Sequence, residues 1–270
     1  MWTLIRAVTI CRSHGRLAKL QAKPRRLTCK SYKVKILYRK DDEKSMKEHY
    51  SIAIDGPSGA GKSTLARAIA GELGILYVDT GAIYRTIGYA VFARGLDPKD
   101  ERQVAPLLPQ LTIRMSYGTD GLQHMWLGDE DVTEKIRLPQ ISMYASDVSA
   151  MPTVRAYLLE MQRDAARTHS VIMDGRDIGT VVLPDANVKI YLTASASERA
   201  RRRCMELEGR GTPKPYDDVL REINERDAQD MNRVSAPLRC ADDAVRLDTS
   251  SLDFDASRKA LLAIIREKLQ

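Results

Sequence analysis

Short apolar runs alternate with longer segments of helical periodicity along most of the chain. The apolar or β-branched runs lie at 51–54, 75–78, 171–173 and 188–192, and a further strand candidate lies at 244–247. Helical spacing is clearest at 63–73, 153–167, 217–232 and 257–269. Strands that alternate with helices favour a parallel sheet covered on both faces. The pattern therefore predicts an α/β fold of three layers.

Residues 98–150 interrupt that alternation. Apolar and polar residues alternate at 111–117 and again at 124–127, and glycines bracket the turn at 118–121. This is the pattern of an antiparallel hairpin, so we expect 98–150 to be an insertion into the α/β chain. Pro152 suits the first turn of the helix that follows.

The segment 195–216 carries a different signal. Ser195 and Glu198 form a capping box, which predicts the start of a helix, and arginines stand at 199, 201, 202 and 203. Residues 209–215 then contain two glycines and two prolines. Such a segment breaks regular structure and suits a hinge, so we expect a mobile element here.

Length and cysteine content limit the class of protein. The 270 residues suffice for one large domain with an insertion, and no stretch approaches the roughly 18 unbroken apolar residues of a membrane helix. The cysteines, at 11, 29, 204 and 240, have no metal-ligand spacing. We expect free thiols, a reducing compartment and a cytoplasmic protein.

The positive charge is confined to the N-terminal arm. Residues 1–45 hold 13 basic and 3 acidic residues, whereas 46–270 hold 30 basic and 33 acidic residues. A slightly acidic body argues against a nucleic-acid-binding module. The arm fits a start placed too far upstream, a solvated basic tail or an organellar transit segment. We favour the first, with a folded domain over 46–270 that begins at Met46.

Residues 56–63 match the phosphate-loop pattern G-x-x-x-x-G-K-[ST] at every fixed position. The loop lies between a predicted strand and a predicted helix, as that motif requires. Its glycines let backbone N–H groups turn toward phosphates, and the helix that follows adds its N-terminal dipole. Lys62 can reach the β- and γ-phosphates, and the Ser63 hydroxyl can bind Mg²⁺. The loop predicts a bound nucleoside triphosphate but not a reaction.

Three further segments, in order and spacing, resemble the signature segments of bacterial-type cytidylate kinases. They are Asp-Thr-Gly-Ala-Ile-Tyr-Arg at 79–85, Asp-Gly-Arg-Asp-Ile-Gly-Thr-Val-Val at 174–182, and Glu-Arg-Asp at 225–227 followed by Asp230, Asn232 and Arg233. The resemblance covers 48–270 and leaves out 1–45. It implies a P-loop kinase fold in which 98–150 is the monophosphate-binding insert and 199–216 the lid.

The resemblance also implies phosphoryl transfer from ATP to CMP or dCMP, with Mg²⁺. The ATP-binding residues would be Gly56, Pro57, Ser58, Gly59, Ala60, Gly61, Lys62, Ser63 and Thr64. Some members of the family carry Gly where this chain has Ser63, which here supplies an ordinary Mg²⁺ ligand. Asp174 would lie in the second coordination sphere of the metal, although a strand-end cap is the plainer interpretation.

The acceptor residues follow from the same resemblance. Ser146, Arg155 and Asp177 would face the cytosine, Arg85, Arg176 and Arg233 would clamp the acceptor phosphate, and Arg226 and Asp230 would touch the pentose. Thr80 joins this CMP-binding set, and the catalytic residues would be Lys62, Arg176 and Arg233. The plainer interpretation makes Arg176 and Asp177 one structural ion pair. Some lid arginines must be ordinary surface residues.

Other functions remain possible from the residues alone. A kinase for AMP, UMP or shikimate shares the loop, but the hairpin insert and the three cytosine-facing residues argue against it. A regulatory switch would show the guanine-selecting N-K-x-D, which the sequence lacks. We expect a monomer that acts on ATP and CMP or dCMP, with neither nucleic acid nor membrane as a partner.

Overall fold

The structure of the protein is a computed structural model that describes residues 34–37, 49–118 and 121–270. The strands are β1 Val34–Leu37, β2 Ser51–Asp55, β3 Leu76–Asp79, β4 Ile113–Tyr117, β5 Gln123–Leu127, β6 Glu130–Asp131, β7 Val171–Gly175, β8 Val188–Thr193 and β9 Val245–Asp248. The helices are α1 Lys62–Leu73, α2 Thr80–Phe92, α3 Glu101–Val104, α4 Pro139–Ser149, α5 Pro152–Thr168, α6 Ala196–Gly209, α7 Tyr216–Asn232 and α8 Phe254–Lys268.

The central sheet has the strand order β3-β7-β2-β8-β9, and every neighbouring pair is parallel. The chain runs from β2 to one edge and later crosses to the other through β8. The central strand β2 therefore borders the point where the direction of winding reverses. In sheets of this type ligands bind at that point, outside the carboxyl ends of the strands. All five strands expected from the apolar runs are present, and the α/β fold class is confirmed.

Each face of the sheet packs against its own hydrophobic core. Ile52 and Ile54 of β2 face a core that contains Ile69 of α1 and Leu261 of α8. Ala53, which points the opposite way, faces the larger core beneath α2, α4 and α5. Strands buried on both faces need apolar residues at every position, which explains the continuous runs in the sequence.

The insertion is built on the predicted hairpin. β4 pairs with β5 in antiparallel register, with Ile113 opposite Leu127, and β6 adds a short third strand. Its inward residues Ile113, Met115 and Met125 are fully buried in the same core as α2. The insert is therefore continuous with one layer of the domain.

The arm supplies one element that the sequence did not predict. Val34–Leu37 forms β1, which pairs in parallel with the outer edge of β4. An exposed strand edge offers unpaired N–H and C=O groups, and an alternating segment such as Val-Lys-Ile-Leu can join it. The expected boundary at Met46 lies outside the described residues, so the division into 1–45 and 46–270 stays a prediction.

Helices α6 and α7 form a pair with a small core of its own. Ala200 and Leu207 of α6 pack against Val219 and Ile223 of α7, apart from the two main cores. The hydroxyl of Ser195 accepts from the N–H of Glu198 at 3.2 Å, which confirms the predicted cap. A helix pair that packs mainly on itself can move as one body over the site.

Candidate functional site

Charged residues collect at the carboxyl edge of the central sheet. Asp55 and Asp79 end the strands β2 and β3, Asp174 is the last residue but one of β7 between them, and all three are buried. The loop at 56–63 follows β2 directly. The sheet topology thus brings the loop and the signature segments at 79–85 and 174–182 to one groove.

Steric limits at two glycines shape the phosphate loop. Gly56 has φ of 150°, and a Cβ there would lie 1.9 Å from the carbonyl oxygen of Leu192. Gly61 has φ of 87° and stands at the N-cap of α1, so the first N–H groups of the helix point into the loop. The loop is therefore shaped for an anion at a helix N-terminus.

Lys62 begins α1 and is buried. Its ammonium donates a hydrogen bond to the carbonyl of Pro57 at 2.7 Å, across the loop. Burial, aided by the nearby Arg176 guanidinium and opposed by Asp174 and Asp230, lowers the pKa of Lys62 to about 7. An added anion in the loop would favour the charged form of this amine.

Asp174 organises the floor of the groove. Its carboxylate accepts from the Ser63 hydroxyl at 2.7 Å and from the Tyr77 hydroxyl at 2.9 Å. Burial raises the pKa of Asp174, neighbouring Asp79 raises it further, and Lys62 opposes the change. A second cation near this carboxylate would offset that cost.

A network of arginines and aspartates forms the opposite wall. Arg176 donates to Asp230 at 2.7 Å, and Arg233 lies 3.7 Å from Asp230 and 3.6 Å from Asp177. Arg155 donates to the other oxygen of Asp177. Arg176 and Asp177 thus pair with different partners, and the interpretation of them as one structural ion pair is wrong.

Three arginines near this wall each have a buried N–H group that lacks a hydrogen-bond acceptor. Within the described residues, buried N–H groups without a hydrogen-bond acceptor occur at Arg85 Nη1, Arg226 Nε and Arg233 Nη2. Burial lowers the pKa of Arg226 to about 10, and the positive charge of Arg176 adds to the shift. Buried donors are normally satisfied, and cations of this kind match phosphate oxygens. The wall is therefore suited to receive an anion.

The residues expected to face a base are only partly assembled. Arg155 joins Asp177, donates to the Ser149 carbonyl at 3.1 Å, and lies over the ring of Tyr84 at 5.4 Å. The Ser146 hydroxyl instead donates to Gln229 of α7 at 3.0 Å. Thr80 is also engaged, because its hydroxyl donates to the Asp174 carbonyl at 2.7 Å.

The arginines of α6 divide into two groups. Arg199 is buried and donates to the Ser58 carbonyl at 3.0 Å and to Asp227 at 2.6 Å, so it ties the phosphate loop to α7. Arg202 donates to the Thr249 carbonyl at 2.7 Å. Arg201 and Arg203 are more exposed and pair along their own helix. Of these four, Arg203 is the one whose charge bears on the pKa of Arg226.

Sequence reasoning missed several residues of the groove. Asp79 caps α2 and also pairs with Arg137 at 3.0 Å and Arg85 at 3.6 Å. Asp55, at the end of β2, accepts two backbone hydrogen bonds from the segment after Asp177. Both aspartates could have been predicted as site residues, because each is a carboxylate directly at the end of an apolar strand.

Comparison with known proteins agrees with this geometry. Residues 52–267 match the family described as cytidylate kinase. A cytidylate kinase of Caldicellulosiruptor bescii is 48% identical over 214 residues, which are 79% of this chain and 94% of that protein. One from Carboxydothermus hydrogenoformans is 48% identical over 217 residues, 80% of this chain and 97% of that protein. One from an Exiguobacterium species is 43% identical over 222 residues, 82% of this chain and 99% of that protein.

Proposed function

The chain belongs to the cytidylate kinase family, and we propose that it transfers the γ-phosphoryl group of ATP to CMP and dCMP in the groove described above. The products are CDP and dCDP, which places the reaction in pyrimidine nucleotide metabolism. One observation carries the assignment to the groove. Buried guanidinium groups with unpaired N–H groups share a site with the loop lysine, and Arg176 lies within electrostatic reach of Lys62.

The reaction requires two polyanions to meet end to end. Phosphoryl transfer depends on positioning and charge neutralisation more than on covalent chemistry. The donor phosphates lie on the loop from Gly56 to Thr64, where Lys62 exchanges the Pro57 carbonyl for phosphate oxygen. Arg85, Arg176 and Arg233 hold the acceptor phosphate, with Arg176 and Arg233 also neutralising the transferred group. Planar guanidinium donors suit phosphate oxygens.

The base is read by Asp177, Arg155 and Ser146. The 4-amino group of cytosine donates to carboxylate and hydroxyl oxygen, and the guanidinium donates to the ring acceptors. Uracil would place a carbonyl against the buried Asp177, so two acceptors would face each other with no hydrogen between them. The Arg155–Asp177 contact supports this assignment. Ser146 must exchange its bond to Gln229 for one to the base.

The pentose lies against Arg226 and Asp230. Arg226 has an unpaired buried N–H for a sugar or phosphate oxygen, and Asp230 can accept from a sugar hydroxyl beside its pair with Arg176. The Thr80 hydroxyl donates to the Asp174 carbonyl, so toward CMP it can only accept. These contacts support a position for CMP along the arginine wall.

Mg²⁺ fits the residues at Ser63 and Asp174. A hydroxyl and a buried carboxylate joined at 2.7 Å are oxygen donors of the kind this ion prefers. Mg²⁺ is commonly held by one or two protein oxygens together with substrate phosphates and water, and Ser63 and Asp174 would supply the protein's share. When bound with ATP, Mg²⁺ supplies positive charge to the β- and γ-phosphate oxygens.

Three further proposals concern the lid, the oligomeric state and the localisation of the protein. The arginine-bearing segment 199–216 serves as a lid that closes over ATP, supported by the separate core of α6 and α7. We propose a monomer in the cytoplasm, where the free thiols of Cys204 and Cys240 fit a reducing compartment. Within the described part of the chain, no helix combines the length and apolar character needed to span a bilayer.

A panel of phosphate acceptors tests the proposed function. CMP, dCMP, UMP, AMP and shikimate are each incubated with ATP and Mg²⁺, ADP release is followed by a coupled assay, and the product is identified directly as CDP or another species. We expect CMP and dCMP to be the best acceptors. Preference for AMP, UMP or shikimate, or ADP release without CDP, would contradict the proposal.

A further inference from the structure

Asp55 is a buried carboxylate that the proposed reaction does not use. It ends β2, immediately before the phosphate loop, and is 5% exposed. Oδ1 accepts from the N–H of Ile178 and Oδ2 from the N–H of Gly179, each at 2.7 Å. In the described part of the chain no basic side chain lies within ion-pair distance of it. The carboxylate is held by two backbone amides from more than a hundred positions away in sequence.

Those two amides are the first donors of a helical turn. Ile178–Val182 forms one π-helical turn whose N-cap residue is Asp177. The first N–H groups of any helical segment have no acceptor inside it, and an N-cap Asp ordinarily accepts from the second or third of them, which here belong to Gly179 and Thr180. Asp177 makes no such capping bond. Asp55 supplies the cap from another strand instead.

The consequence concerns the direction of the Asp177 side chain. Its two carboxylate oxygens face Arg155 and Arg233, in the wall assigned to the acceptor nucleotide. When those N–H groups have no other acceptor, an aspartate at the N-cap turns its side chain toward them and caps its own turn. Because Asp55 already holds the N–H of Gly179, one of the two donors open to Asp177, the turn competes less for the Asp177 carboxylate.

We propose that Asp55 is a positioning residue for base selection: it caps the 178–182 turn in place of Asp177 and so keeps the Asp177 carboxylate directed at the acceptor base. This inference rests on the proposed function, in which Asp177 reads cytosine. Only a carboxylate meets the need, because asparagine offers one acceptor oxygen to two N–H groups and turns its own donor toward the second. Through these hydrogen bonds, Asp55 connects the start of the phosphate loop to the turn that follows Asp177.

The test measures kcat/KM for CMP and for UMP in Asp55→Asn, in Asp177→Ala and in the double variant. We expect Asp55→Asn to lower the CMP-over-UMP ratio by about fivefold or more, because Asp177 turns back to its own turn. If Asp55 acts through Asp177, adding Asp55→Asn to Asp177→Ala should change the CMP-over-UMP ratio by no more than about twofold relative to Asp177→Ala alone. An equal loss on both substrates, or an undiminished effect in the double variant, would overturn the inference.

Asp248→Asn is the matched control. Asp248 also ends a strand of the sheet and accepts from the N–H and hydroxyl of Ser250, but it caps its own local turn. Its substitution should leave the CMP-over-UMP ratio within about twofold of the wild type. A fall matching that of Asp55→Asn would show that any lost strand-end cap has this effect, and would also overturn the inference.

A second variant covers the case in which Asp55→Asn does not fold. Asp55→Glu keeps the charge but lengthens the side chain by one methylene, so it shifts the carboxylate out of its 2.7 Å contacts with the two amides. We expect a smaller fall of the ratio in the same direction, and an unchanged ratio would count against the cap. If the wild type fails to phosphorylate CMP, the proposed function fails. If it prefers CMP and no variant alters the ratio, only this inference fails.

Discussion

Single residues in the groove carry positive charges whose hydrogen bonding within the protein is incomplete. Lys62 bonds only a loop carbonyl, and Arg85, Arg226 and Arg233 keep buried N–H groups without acceptors among the described residues. Buried donors of this kind cost stability unless a partner is present. The arrangement is therefore explained by ligands that bring negative charge, and this leads to two predictions at Lys62.

Lys62→Ala should fold and yet lose activity by about 10³ or more, which is about 4 kcal/mol of transition-state stabilisation. The reason is the loss of the only loop cation that can follow the γ-phosphoryl group. Steady-state rates with saturating ATP and CMP provide the measurement, and Lys259→Ala, on the exposed face of α8, provides the control. More than a tenth of the wild-type rate in Lys62→Ala would refute the role of the loop.

ATP binding should take up a proton at pH 8. The lowered pKa of Lys62, about 7, leaves the amine of the free protein mostly neutral at that pH, and the bound phosphates favour the ammonium form. Calorimetric titrations in two buffers of different ionisation enthalpy measure the uptake. Uptake should vanish in Lys62→Ala, and an equal uptake in that variant would assign the proton to another group.

How far the sequence predicts these residues depends on how local the signal is. Lys62 and Ser63 belong to a continuous motif and could be placed from the residues alone. The partners of Asp177 could not, because Arg155 and Arg233 lie on different elements and no spacing rule joins them. The family resemblance identified those residues, but it gave neither the Asp55 cap nor the bond from Ser146 to Gln229.

Among the elements, length and burial decided what the sequence could predict. β2 and β7 are buried on both faces, and their continuous apolar runs are clear in the sequence. The two-residue strand β6 and the four-residue helix α3 bury too little to leave a pattern. Strand β1 is short and is stabilised by its pairing with β4. The local sequence cannot predict such a long-range pairing.

The loop between α6 and α7 should become protected when both substrate sites are filled. Residues 210–215 join two helices that pack on each other, and Arg210 pairs with Glu206 of α6. Trypsin should cut near Arg210 quickly in the free protein and more slowly with a bisubstrate analogue that joins ATP to CMP. Cleavage after Arg266, at the end of α8, should not change. Equal rates at Arg210 with and without the analogue would argue against a closing lid.

The whole molecule combines a near-neutral body with a strongly basic arm. Residues 46–270 contain every motif used above, whereas 1–45 contain the entire positive excess. The family match begins at residue 52, which leaves the arm outside it. Its one described strand lies at the edge of the insert rather than in the central sheet. The chemistry should therefore not depend on the arm.

A chain that starts at Met46 should fold, bind ATP and phosphorylate CMP within about twofold of the full-length rate, a difference of about 0.4 kcal/mol. Loss of β1 exposes one edge of β4 but removes nothing from the groove. Rates and melting temperatures of the two forms provide the comparison. Abolished activity, or a melting temperature lower by many degrees, would show that the arm is part of the folded domain.

Base selection by Asp177 is the central claim, and Asp177→Ala tests it most directly. The measurement is kcat/KM for CMP and for UMP in the wild type and in the variant. We expect the wild type to prefer CMP and the variant to lose far more activity on CMP than on UMP. The fall in the CMP-over-UMP ratio of kcat/KM should correspond to about 1–3 kcal/mol. Equal losses on the two substrates would contradict the claim and leave Asp177 a purely structural partner of Arg155 and Arg233.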